Sequence, residues 1–341
     1  MSHRIEIDPG TGRAAFAASR QPAWHKLGTV IDTDLTVEQG FDIAHLTGWD
    51  VDLVPLFAQV GIDMKPIEGH QAVTRINPFT GEREPIAGVG SVGSKYLAIQ
   101  NEEVGEFVGQ IVHDDVVLDA AGSLHGGRVV FATMRLGDDI TIGGTADTVR
   151  PYLVASWGHD GGTPVRVQLV PTRVVCANTL SMALGNRTAP KFTVRHSGNG
   201  VQGKAQEARE ALDVAFTGLD EFSTIAAQWA EADIANAEFT EVVADLFPMD
   251  HDTQTERQYN AAGRHRNDLS TLYYDAPTQD GIRGSAWGAL NAWTEYVDWF
   301  SGHDVTAEKR AVAQATNPRL DQQRAHGASL MAEAFGLPIL N

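Results

Sequence analysis

Residues 197–203, Ser197-Gly-Asn-Gly-Val-Gln-Gly203, separate two textures of sequence. Before them, short apolar runs are punctuated by Gly, Pro and Asn, the pattern of strands and turns. After them, apolar residues recur at intervals of three and four, the helical period. Leu212, Ala215, Leu219, Phe222, Ala226 and Trp229 alternate those two steps strictly, a heptad-like seam. The seam suits a bundle partner in the same chain or a second protomer. Further helices are expected at 236–247, ended by Pro248, and near 253–274, 284–301, 305–315 and 319–335. The expected fold class is α+β: a mixed or antiparallel β-sheet ligand-binding domain over 1–200, then an α-helical packing or assembly domain over 201–341. Charge divides the same way, with 16 basic and 22 acidic residues before position 201 and 10 and 22 after it.

Working back from the divide, Phe192–Arg195, Arg173–Cys176, Pro164–Val170, Val149–Trp157 and Arg128–Met134 read as strands. Nearer the start, Thr36-Val-Glu-Gln39 fits a capping box whose helix should stop at Gly48. Trp49–Leu53, His70–Ile76 and one or two segments within Pro85–Ile99 are expected strands. Asn101 is the expected cap of a helix with Val104, Phe107, Val108, Ile111 and Val112 on its apolar face. The local order over 49–112 is strand, strand, strand, helix.

The chain of 341 residues carries 26 basic and 44 acidic side chains, a net of −18. That balance disfavours bulk binding to DNA or anionic membranes. One cysteine cannot form an internal disulfide, and no signal peptide or 20-residue apolar span is visible, so a soluble protein of the host cytoplasm is expected. From Arg150 to Arg195 the balance reverses: six Lys or Arg stand against Asp160 alone. Distant acids are screened beyond about 8 Å at physiological salt, so this window can still hold an anion.

Several short motifs recur in order along the chain. They are Pro22-Ala-Trp-His-Lys-Leu-Gly28, Tyr96-Leu-Ala-Ile-Gln-Asn101, Gly122-Ser-Leu-His-Gly-Gly-Arg128 and His159-Asp-Gly161. Arg173-Val-Val-Cys-Ala-Asn-Thr-Leu180, Arg195-His196 and Gly288-Ala-Leu-Asn-Ala-Trp-Thr-Glu-Tyr296 follow. As an ordered set they resemble the phage/plasmid-like protein family of unknown function found in actinobacteriophages and plasmids. Ala23 and Gly162 depart from its pattern. The resemblance implies a phage or plasmid context and no established activity.

Three functions compete. In the first, the chain is a single-stranded nucleic-acid-binding or annealing protein. Arg150, Arg166, Arg173, Asn178, Lys191, Arg195 and His196 line the site, and Tyr152 or Trp157 stacks on bases. The element order at 49–112 is similar to that of Red-beta/RecT-type annealing cores, and the helical tail suits homo-oligomer assembly. In the second, His159, Asp160 and His196 supply acid/base chemistry beside Arg173, Asn178 and Arg195 for a nucleotide-like, phosphate-bearing ligand. The bland alternative for His159-Asp160-Gly161 is a tight Asp-Gly turn. For Cys176 it is a small buried residue, and for Trp24-His25 a core plug. The third function is a structural or host-interaction protein whose acidic helical half docks a partner. No nucleophile, metal or phosphate-loop spacing is present, so the sequence leans against an enzyme and implies no cofactor or metal.

Overall fold

The computed structural model describes residues 5–20, 27–86, 91–111, 117–173, 191–198, 200–300 and 318–339. The chain is α+β, with sheets in the first 200 residues and helices after them. The large sheet has the order β12-β11-β10-β8-β7-β1-β2, with β9 (Ile140–Thr141) beside β10. Its members are β1 (Phe16–Ser19), β2 (Thr29–Ile31), β7 (Val117–Leu124), β8 (Val129–Arg135), β10 (Thr148–Gly158), β11 (Val165–Arg173) and β12 (Lys191–Val194). All its pairings are antiparallel except β1 with β2. A second sheet has the order β3-β4-β5, formed by β3 (Asp52–Val60), β4 (Asp63–Ile76) and β5 (Arg83–Pro85); β6 (Val92–Gly93) also pairs with β4.

Helix α1 (Val37–Ile43) begins at the expected capping box, with Thr36 and Gln39 bonding reciprocally. It ends before Gly48. The His45 N–H donates to Asp42 O and the Leu46 N–H to Phe41 O, and His45 takes φ +57°. That is a Schellman end with histidine in the left-handed position that usually goes to glycine. Helix α2 (Asn101–Ile111) buries Val104, Phe107, Val108 and Ile111 as expected. Its cap differs from the expectation. The Glu103 carboxylate accepts from the Gln100 N–H at 2.9 Å, so Gln100 stands outside the helix and Asn101 turns inward.

The strand expected at Trp49–Leu53 starts later and runs longer, to Val60. Leu53–Val60 lacks alternation and contains Pro55, which hid it; β3 is an edge strand, where proline is tolerated. β4 likewise starts seven residues before His70. The two form a hairpin closed by Gly61-Ile62.

The remaining helices are α3 (Ala205–Glu231), α4 (Asn236–Leu246), α5 (Glu256–Asp275), α6 (Ala286–Trp299) and α7 (Pro318–Phe335). The helix expected at 305–315 lies outside the described residues. Two large cores result. One lies between the large sheet and α1, α2 and the start of α3; the other is mostly helical. Helix α3 serves both, with Ala208 and Leu212 in the first and Ala226 and Trp229 in the second. Ile142 and Val149 carry the helical core into the sheet, and Trp287 Nε1 donates to Asp147 Oδ2 at 2.7 Å. The seam on α3 is therefore engaged within the chain at both ends. Among the described residues no helix is long and apolar enough to cross a membrane.

Candidate functional site

Four of the ordered motifs meet at one end of the large sheet. Helix α2 starts with Asn101, which is fully buried. Its Nδ2 donates to Leu46 O at 2.8 Å, which fixes the amide orientation. Its Oδ1 then accepts from Trp157 Nε1 at 2.8 Å and bonds His159 Nε2 at 3.0 Å. An amide oxygen only accepts, so His159 carries its proton on Nε2. Burial, with the nearby His196 and Arg75 charges, pushes the His159 pKa down to about 3. His159 is thus neutral, and its Nδ1 has no partner among the described residues.

Asp160 closes the turn that follows. Its Oδ1 accepts from the N–H groups of Gly162 at 2.9 Å and Thr163 at 2.7 Å, and Oδ2 accepts from Thr163 Oγ1 at 2.9 Å and Arg128 Nε at 3.1 Å. Burial opposes ionisation, but these four donors outweigh it and hold the carboxyl below its ordinary range. Thr163 O in turn bonds His196 Nε2 at 3.1 Å, and the His196 ring stacks on Tyr96 at 5.0 Å. Desolvation lowers the His196 pKa as well. The ring of contacts closes through Leu97 N–H to His196 O and His159 N–H to Arg128 O.

A buried ion pair supports this knot from below. Arg75, 1% exposed, lies over the Trp49 ring at 4.2 Å and pairs with Glu6 and Glu84. Ser123 Oγ adds a bond to Glu6 at 2.8 Å. Gly127, at φ +86°, leaves no room for a Cβ against that guanidinium. The glycines of the 122–128 motif therefore serve close approach, and its serine serves charge satisfaction.

The expected cationic residues are placed in different ways. Arg150 is held by Asp139 through Nε at 2.6 Å and Nη2 at 2.8 Å, so its charge is compensated within the chain. Tyr152 and Trp157 are buried, which corrects their expected role as base-stacking platforms. His159 and His196 face the interior, and Asp160 is committed to its turn and to Arg128. Arg173 ends β11 opposite Val149, whereas Arg166 stands opposite Ser156 and Thr193, a different register parity. Lys191 pairs with Gln168 by register. Asn178 and Cys176, like Trp24 and His25, lie outside the described residues. Arg195 is exposed and makes no ion pair among the described residues.

Two features escaped sequence reading. Asp119 is the extra residue of a bulge between Leu118 and Ala120 in β7; burial raises its pKa against the pull of Arg150 and Arg135. Gln168 is 2% exposed, and among the described residues neither its amide oxygen nor its amide nitrogen has a partner. A bulge slip and a lone buried amide leave no periodic trace. Among the described residues no group of three His, Cys, Asp or Glu is placed to hold a metal ion.

These observations define an α+β protein whose motif residues build a buried polar knot, with a basic strand margin beside it. A family model described as a domain of unknown function, DUF932, matches residues 89–325, and the chain belongs to that family. No curated protein and no solved structure matches.

Proposed function

We propose that the chain binds single-stranded nucleic acid along the β11–β12 margin of the large sheet, as an annealing-type accessory acting for a phage or plasmid in the host cytoplasm. One observation carries the reading. β12 puts Val194 and Phe192 into the core, while Thr193 and Arg195 on the other parity are exposed and Lys191 shares that parity. Arg166 stands opposite Thr193. Same-parity residues on a strand are about 6.6 Å apart, so the basic residues form a line rather than a point. No acidic residue occurs from Gly161 to Gln206. A line of cations without local acids suits a polyanion better than a single phosphate.

The knot fits this reading as a positioning device. His196 is pinned by Thr163 and Tyr96, which sets its neighbour Arg195 at the margin. The order β3, β4, β5, the two-residue β6 and then α2 differs by that one short strand from the order of annealing cores, and the support it adds is by analogy. With the aromatic rings in the core, recognition would run through phosphates and tolerate any sequence.

The test is fluorescence anisotropy of a labelled single-stranded oligonucleotide at 50 and 200 mM salt. With Lys191 and Arg195 each neutralising one phosphate, the single-strand slope of about −0.7 per contact predicts roughly 7-fold weaker binding at the higher salt. Arg195→Ala should reduce that factor to about 2.6. Absence of binding at 50 mM, or binding indifferent to salt, would refute the proposal.

A further inference from the structure

The β3–β4 hairpin projects an apolar surface that nothing in the described chain covers. Phe57 and Val60 are each 52% exposed, Met64 62%, Ile67 42% and Ile62, at the tip, 97%. Its two-residue loop has positive φ only at Gly61, the primed-turn pattern, and Phe57–Val60 pair in register with Asp63–Pro66. Between Pro55 and Phe57 the register shifts, and Ile67 falls in that irregularity. β3 is also an edge, with β4 on one side and, among the described residues, no strand on the other. Edge strands are ordinarily guarded by charge, yet Leu53 to Ile62 contains no charged residue. Pro55 and the register shift beside it guard one part of the strand, and Phe57–Val60 beyond them pair regularly with β4.

We infer that this hairpin is a self-association surface, on which the edge of β3 pairs antiparallel with β3 of a second copy about a two-fold axis. Charge selects that occupant. Two chains of net −18 repel, so a contact between copies needs a patch without net charge; Leu53–Ile67 carries only Asp63 and Lys65, which cancel. An anionic lipid surface is disfavoured, because Asp52, Asp63 and Glu68 outnumber Lys65 along the hairpin and membrane-seated elements are flanked by cations. A nucleic-acid strand is disfavoured for the same reason. An antiparallel edge is self-complementary, which is what a two-fold contact requires. The α3 seam, the other apolar stripe suited to assembly, is engaged inside the chain at both of its ends.

The experiment is light scattering on the full chain after size exclusion, at micromolar concentration and without nucleic acid. The wild type should elute at twice 36.8 kDa. Phe57→Asp and Val60→Lys, both at positions more than half exposed, should elute at the monomer mass with an unchanged thermal melt. A second variant, Ile62→Lys at the tip, guards against a local folding defect in the strand. A monomeric wild type overturns the inference, whether or not that monomer floats with phosphatidylserine vesicles. So does a dimer that persists in Phe57→Asp and Val60→Lys. Oligonucleotide binding by a monomeric wild type would overturn self-association through β3 and leave the nucleic-acid reading standing.

Discussion

Replacing Asn101 by alanine tests whether the polar knot holds this end of the sheet together. The side chain is fully buried and makes three hydrogen bonds, to Leu46 O, Trp157 Nε1 and His159 Nε2. Alanine removes all three and leaves two N–H donors and one carbonyl in the interior without partners. An unsatisfied buried group costs about 1–3 kcal/mol, so the sum runs from about 3 kcal/mol upward, with a water in the vacated space returning part of it. A net loss of roughly 4 kcal/mol is a large share of the 5–15 kcal/mol typical of a folded domain. Urea unfolding followed by far-UV circular dichroism should show the earliest transition moved to markedly lower urea. Helix α2 and the Leu46–Val51 segment should lose hydrogen-exchange protection first, since Gln100 also bonds Val51 through both its amide groups at 2.9 Å. A loss below about 1 kcal/mol, with protection unchanged in α2, would show that Trp157 and His159 find other partners and that the knot is not what joins these elements.

Acid should weaken the protein well above the carboxylate range. His159 has a folded pKa near 3 against an ordinary 6.5, so below pH 6.5 the unfolded chain takes up a proton that the folded chain refuses. Its contribution is complete above pH 6.5 and falls by about 1.4 kcal/mol per pH unit toward pH 3. Unfolding at pH 7 and pH 5 should differ by about 2 kcal/mol from this residue, and His159→Gln should flatten the dependence; an unchanged slope would contradict the burial argument. Gly127→Ala sets a Cβ against Arg75 at φ +86° and should cost several times the ordinary glycine-to-alanine effect of about 1 kcal/mol, read as a lowered urea midpoint. Arg75→Met alone should destabilise by about 3–5 kcal/mol because Glu6 is left buried and unpaired, whereas adding Glu6→Gln should recover part of the loss; equal stability of the two variants would count against the pair.

Much of the fold was legible because its signals are local. The capping box at Thr36 and the 3.6-residue period of Val104, Phe107, Val108 and Ile111 both appear where their patterns place them. So do strands at Val129–Arg135, Thr148–Gly158, Val165–Arg173 and Lys191–Val194, whereas the strand expected at Arg173–Cys176 lies, beyond Arg173, outside the described residues. The failures also have local causes. Leu53–Val60 carries no apolar–polar alternation because apolar residues also fill its exposed positions, Phe57 and Val60 among them, and His45 replaced the glycine that would have marked the end of α1. Arg150 looked available because Asp139, its partner, sits eleven residues away across a β-turn region outside the basic window.

The amino-acid order alone determined the strands from Val129 to Arg173 and the helices after Gly203, where the texture changes, and where acids are missing around β11 and β12. Those properties depend on neighbours within a turn or two along the chain, so periodicity and composition record them. Only the tertiary structure decided that Asn101, His159 and His196 close one buried knot, that Tyr152 and Trp157 face inward, and that an uncharged hairpin remains uncovered. Partners 56 to 58 residues apart meet only through strand register and helix packing, and no local pattern encodes the donor that a given acceptor will find.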